Sequence, residues 1–169
     1  MKTEFINYSI DWYKGENIEG GMVMIWGAFL LIMSLYFYVL DKFDSTHQLI
    51  IPLLIAGLIW FTAAAVGFVA NNNRLEKAKI EYQQNSERFI ENEKARVANY
   101  LPTYKYLLIG WSIAIVIGLV LFNFTHSSLA RAIGLSLILF SIMGLIVDLT
   151  SEQNATEYYK RIQQFVMKE

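Results

Sequence analysis

Four side chains in this sequence are of the types that hold a divalent cation: Asp41, Asp44, His47 and His126. Carboxylate oxygens and imidazole nitrogens together suit a zinc-like or manganese-like ion. Asp41, Asp44 and His47 share one short polar stretch, DKFDSTHQ at 41–48, but no spacing ties the distant His126 to them. Polar turn residues are ordinarily solvated, so the expectation is no bound metal and no cofactor. Nucleophilic chemistry has less to work with. The chain has no cysteine, which removes thiolate catalysis, disulfides and Cys-based metal sites. It also has no phosphate loop, nucleophile elbow or zinc-protease motif. The triplets at 123–125 and 154–156 match the glycosylation pattern. The first lies too close to an apolar run, and the second falls on the side expected to be cytoplasmic. An enzyme is therefore the third-ranked reading, since its acid–base groups would have to come from turns or helix ends.

The elements that would position any such groups are unusually apolar. Of 169 residues, 55% are hydrophobic and 17% charged, too apolar for an ordinary soluble domain. A net charge of −1 argues against nucleic acid as a partner, since phosphate binding needs clustered positive charge. Apolar runs at 22–40, 49–70, 106–124 and 128–147 each approach the roughly 20 residues that cross a hydrocarbon core of about 30 Å. The expected fold is an all-α integral membrane protein with four transmembrane helices. They form two antiparallel hairpins, 22–70 and 104–148, accompanied by cytoplasmic amphipathic helices. Pro52 is tolerated in a first helical turn, and Pro102 reads as the point where a helix restarts before the third span. The first three runs contain no ionisable residue, while Arg131 and Asp148 sit at the ends of the fourth, where they can snorkel outward. A proton or ion relay needs such groups inside the spans, so a secondary transporter is not expected.

Three polar segments remain. Residues 1–21 carry Phe5, Tyr8, Ser9, Trp12 and Tyr13 at helical spacing. They read equally as a short helix in the headgroup layer and as a frayed tail. Residues 71–103 read as a cytoplasmic helical linker. Leu75, Ala78, Tyr82, Phe89, Val97 and Tyr100 form a stripe on it that Ser86 and Glu93 interrupt. Residues 149–169 read as a C-terminal amphipathic helix whose Tyr158, Tyr159, Ile162 and Phe165 form a candidate face for a partner. The membrane surface and the middle helix compete for that same face. Of the fourteen Lys and Arg residues, eleven fall in these three segments, Lys105 lies just beyond the middle one on the same side, and only Lys42 and Arg131 belong to the short turns. By the positive-inside rule the protein is multi-pass in the cell (cytoplasmic or inner) membrane, with both termini cytoplasmic.

Small residues mark candidate helix contacts: Gly57, Ala64 and Gly67 on the second run, and Gly110, Ala114 and Gly118 on the third. Ala130, Gly134, Ser141 and Gly144 do the same on the fourth. In lipid, helices associate through such close backbone approach, within one chain or between copies. The halves also echo each other: Ala78-x-x-Glu81-Tyr82 follows the first hairpin and Ala155-x-Glu157-Tyr158-Tyr159 the second. The order of helix, apolar hairpin and tail with an Ala-x-x-Tyr pattern, from Arg74 to Phe165, resembles in outline the two-span membrane effectors of bacterial defence systems. That resemblance implies a membrane-disrupting effector. The leading expectation is a non-enzymatic small polytopic membrane protein, a helix-packing subunit that presents cytoplasmic helices to a partner or to other copies. The alternative is a homo-oligomeric pore or channel. The expected partners are the lipid bilayer, further copies of the chain, and a membrane or cytoplasmic protein.

Overall fold

The computed structural model describes residues 2–39 and 44–166, the side chains of Lys2, Thr3, Asp44 and Ser45 excepted. It is all-helical: α1 (Lys2–Val39), the single turn α2 (Asp44–His47), α3 (Ile50–Gln84), α4 (Ser86–Phe124) and α5 (Ser128–Val166). The four long helices are each long and apolar enough to cross a membrane. They are also longer than crossing requires. At 1.5 Å per residue the 38 residues of α1 extend about 57 Å, against a hydrocarbon core of about 30 Å. Each helix therefore has an apolar half and a polar half.

Contacts between helices run in opposite directions along the chain. In the first pair, Phe5 of α1 meets Tyr82 of α3, Asn17 meets Asn72, Gly27 meets Phe61, and Ser34 meets Ile50. In the second pair, Glu93 of α4 meets Tyr158 of α5, Trp111 meets Asp148, and Gly118 meets Gly134. All four polar halves thus gather at one end of the molecule, where Phe5, Tyr13, Ala78, Phe89, Ile90, Val97, Tyr158 and Ile162 form one buried core.

The helix α5 shows how one seam serves both halves. Gly134, Ser141, Ala155 and Ile162 recur at multiples of seven, as do Gly144, Ser151 and Tyr158, and all are buried. A seven-residue repeat keeps one stripe facing its neighbours along the whole helix. Along the apolar half the stripe is small, so that backbones approach closely. Toward the polar end it becomes aromatic and branched, where burying large apolar area is what drives packing in water. On α3, Gly57, Ala64, Asn71 and Ala78 repeat the same register.

Two breaks differ from what the sequence suggests. Residues 2–21 are neither a separate interfacial helix nor a frayed tail but the first half of α1, with Phe5, Ser9 and Tyr13 buried. Pro102 does not restart a helix; α4 runs through it. The missing N–H costs one intrahelical bond, which 39 residues of otherwise continuous helix absorb. The chain instead reverses at Asn85, which leaves helical geometry at φ −157° and ψ 96°. Its backbone N–H bonds the Glu81 carbonyl at 2.9 Å, closing α3, and its side-chain oxygen accepts from the Arg88 N–H at 3.0 Å, opening α4. Such an N-cap contributes about 1 kcal/mol.

Candidate functional site

The highest concentration of buried polar chemistry lies at the polar end of the bundle, centred on Glu93. This residue occupies a core position of α4 between Phe89 and Val97, and it is 4% exposed. A carboxylate there must find donors on every side, because an uncompensated buried charge costs several kcal/mol. It finds three residues. Arg96, one turn on, donates Nε at 2.9 Å and Nη2 at 2.7 Å, a two-pronged pairing. Tyr13 of α1 donates its hydroxyl at 3.2 Å, and Tyr158 of α5 donates at 3.0 Å. The Tyr158 hydroxyl also lies 2.9 Å from Ser9 Oγ. Tyr158 has one proton to give, so with that proton on Glu93 the Ser9 hydroxyl can turn to Tyr158 or to the Phe5 carbonyl, 3.1 Å away.

Aromatic rings wall this cluster. Trp12 lies flat on Tyr158, with centroids 4.5 Å apart and planes 4° apart. The Arg96 guanidinium stands 5.0 Å from the Trp12 ring, 5.6 Å from Tyr13 and 5.5 Å from Tyr100. Each such contact is worth about 0.5–2 kcal/mol, depending on desolvation. Burial, the Glu93 charge and its hydrogen bond push the Tyr13 hydroxyl far above the usual tyrosine range. Burial followed by Glu93 does the same to Tyr158. For Arg96 burial works against the charge, but the hydrogen bonds to Glu93 and its charge outweigh it and push the guanidinium up. The tyrosines therefore serve as proton-bearing donors and Arg96 as a fixed cation. With two Arg96 bonds and two tyrosine hydroxyls converging on its two oxygens, Glu93 has little capacity left for a ligand. This geometry makes a clasp between α1, α4 and α5.

Two further networks extend the clasp toward the apolar half. Asn71 of α3 donates to the Tyr13 carbonyl at 2.7 Å and to Asn17 Oδ1 at 2.8 Å, while Asn17 donates to Asn72 at 2.7 Å. Glu19 of α1 accepts from Ser151 and, at 2.6 Å, from Asn154 of α5. Beside Glu19, a 280 Å³ groove between α1 and α5 is lined by Trp12, Glu16, Glu157 and others. Burial, reinforced by the Glu19 charge and opposed by Arg96 and Arg74, pushes Glu16 up from 4.5 to about 7. A carboxyl with a higher pKa folded than unfolded holds its proton more tightly in the folded protein. Its contribution to stability is thus full below pH 4.5 and is lost as the pH rises through about 7. Raising the pH from 5 to 8 should cost on the order of 2 kcal/mol through this group. Glu16→Gln should flatten that dependence and raise stability at pH 8, as read by chemical unfolding at both pH values.

The positions singled out in the sequence fare differently. Gly57, Gly118, Gly134 and Gly144 sit in tight helix crossings. A Cβ on Gly57 would meet the Leu31 N at 2.9 Å, one on Gly134 the Gly118 carbonyl at 2.6 Å, and one on Gly144 the Trp111 ring at 2.5 Å. Ala64 and Ser141 are buried, and Ala114 and Ala130 are half-buried. Gly67 and Gly110 are exposed, and a Cβ on either would meet nothing within 4 Å. Gly27 completes the α1–α3 crossing, its absent Cβ leaving room for the Phe61 N at 2.6 Å. Sequence reading missed it, although it lies seven residues before the buried Ser34.

The expected partner face needs correcting. Tyr158 and Ile162 are 0% exposed, and Tyr159 and Phe165 pack on the same core, Phe165 against Phe5 at 5.2 Å. The apolar face of the C-terminal helix is consumed by α1 and α4 and is not offered outward. Of the metal candidates, Asp41 lies outside the described residues, as does the Asp44 side chain. His47 borders a groove between α3 and α5, and His126 is exposed in the turn before α5. Among the described residues no three His, Asp or Glu side chains stand close enough to share an ion. No protein-family model matches the chain, and neither a curated protein nor a solved structure is significantly similar to it.

Proposed function

We propose that this chain is a non-enzymatic multi-pass membrane subunit. Its four apolar halves cross the bilayer as two antiparallel hairpins, and its polar halves project into the cytoplasm as a closed bundle with both termini on that side. One observation carries this reading: the two halves are finished to opposite standards. In the apolar windows only 6% of α4 and 28% of α5 is buried, and side chains such as Ile25, Val116 and Phe124 stand free. Surface of that kind and extent needs lipid or another copy to cover it. At the other end, the large aromatics and the Glu93 carboxylate are sealed in the core.

The part offered to a partner is then the outer, charged surface of the cytoplasmic bundle, not the Tyr158 face. Further copies would meet through the exposed apolar faces, where Gly67 and Gly110 leave room for a close approach. The pore reading has less support within one chain. The groove between α3 and α5 in the apolar halves is lateral and apolar, and Ser34 spends its hydroxyl on the Ile50 carbonyl. A water route would need several copies around an axis, and wetting a lining of Ile, Leu and Val is unfavourable.

Orientation is directly testable because the native chain has no cysteine. Cysteine at exposed Ser127 should react with an impermeant thiol reagent applied outside intact cells, and cysteine at exposed Gln84 should react only after lysis. The reverse pattern would overturn the orientation. In the same preparation reconstituted into liposomes, ion or dye flux should stay near the empty-vesicle level. Robust flux would replace the subunit reading with the pore.

A further inference from the structure

Within each helix pair the backbones themselves touch. Gly27 and Gly57 seat α1 on α3, Gly118 and Gly134 seat α4 on α5, and a Cβ on any of the four would meet a backbone atom at 2.9 Å or less. The seam between α1 and α5, where the pairs join, is held by side chains. Trp12 stacks on Tyr158, the Tyr158 hydroxyl lies against Ser9, and Glu19 accepts from Ser151 and Asn154. Side-chain joints of this kind can open while the glycine crossings stay closed.

Glu16 lies one turn before Glu19 in that seam and lines the 280 Å³ groove between α1 and α5. Charged and titratable groups face it from every helix around it. Glu19 stands on its own helix, α3 brings Arg74, and α4 brings Arg96 with the Tyr100 and Tyr104 hydroxyls. On α5, Glu157 lines the same groove, as does Asp11 of α1. Neither cation offsets the burial. Arg96 already holds Glu93 with two hydrogen bonds, and Arg74 is exposed, where water screens it. Burial first and the Glu19 charge second therefore hold the Glu16 carboxyl up at about 7. A seam that opens lets Glu16 reach water and its ordinary value of 4.5. The closed form is thus fully favoured below 4.5 and loses ground as the pH rises through about 7. Between pH 5 and 8 the open-to-closed ratio should rise on the order of tenfold to a hundredfold.

We propose that the α1–α5 seam is a proton-controlled joint: with Glu16 protonated the two helices stay clasped through Glu19, and loss of that proton parts them while each helix pair stays intact. Two ionised carboxylates one turn apart repel, and moving α1 off α5 gives Glu16 water at the cost of the Glu19 bonds to Ser151 and Asn154. The joint lies at the polar end and works in either orientation of the chain. Pulsed electron spin resonance on the full chain in nanodiscs tests it, with spin labels on Ile18→Cys and Gln153→Cys, both exposed positions facing outward from α1 and α5. The distance between them should be single and short at pH 5 and gain a longer component by pH 8, with a midpoint near 7. Labels on Asn99→Cys and Gln153→Cys, across α4 and α5, should keep one distance at both pH values. Glu16→Gln should hold the seam closed throughout, and Glu19→Gln, which removes the neighbouring charge, should move the midpoint to lower pH. An unchanged Ile18–Gln153 distance overturns the proposal, as does the same opening in Glu16→Gln or an unmoved midpoint in Glu19→Gln. A parallel change across α4 and α5 overturns it too, because the whole bundle would then be loosening.

Discussion

Glu93→Ala should destabilise the polar end of the bundle by about 3–5 kcal/mol, the cost of breaking a buried ion pair by deleting one partner. The loss has two sources. Arg96 keeps its charge among Trp12, Tyr13 and Tyr100 with no carboxylate to answer it, and the Tyr13 and Tyr158 hydroxyls lose their acceptor. The Arg96 side chain is 31% exposed and can turn partly to water, which favours the lower end of that range. Replacing both charges, as in Glu93→Met with Arg96→Met, should recover about half of the loss or more, because an apolar pair requires no desolvated charge. Hydrogen exchange at residues 5–13 and 155–162 of the reconstituted protein would read both variants. A neutral Glu93→Ala would mean that the polar end is held by apolar packing alone.

Gly134→Leu should disrupt the α4–α5 crossing. A Cβ at Gly134 already comes within 2.6 Å of the Gly118 carbonyl and 2.9 Å of the Phe122 N, both backbone atoms that cannot swing aside. Three further carbons must force the helices apart, and overpacking of this kind costs about 1–3 kcal/mol, occasionally more. Gly110→Leu is the matched control. It lies on the same pair of helices, but its Cβ meets nothing within 4 Å, so it should leave monomer stability nearly unchanged. Unfolding in mixed detergent micelles would separate the two. Equal tolerance of both substitutions would contradict the crossing.

Hydropathy made the four apolar stretches legible, because a run of about 20 uncharged residues has few alternatives. Other features needed tertiary information. The rings of Phe5, Trp12 and Tyr13 suit a membrane interface and a bundle core equally well by spacing, and only the presence of Tyr158 and Glu93 opposite them decides between the two. Glu93 looked like an interruption of the stripe on the middle segment. Its pairing with Arg96 at i+3 was visible in the chain, but the donors that complete it lie 80 and 65 residues away. Asn85 carries no Gly or Pro signal, and Pro102 carries a strong one, yet the chain turns at the first and runs straight through the second. Small residues marked the helix crossings only where they fell on the seven-residue seam. Gly57 and Gly134 lie on it and Gly67 does not.

The claim that both helix pairs close into one bundle at the polar end rests on α1 meeting α5, and a cysteine pair tests it most directly. Glu19 and Asn154 touch across that boundary at 2.6 Å. In native membranes, Glu19→Cys combined with Asn154→Cys should be joined by a short thiol-specific crosslinker within single chains, at high yield and without dimer formation. Absence of the intrachain product, or a product linking only separate chains, would contradict the closed bundle.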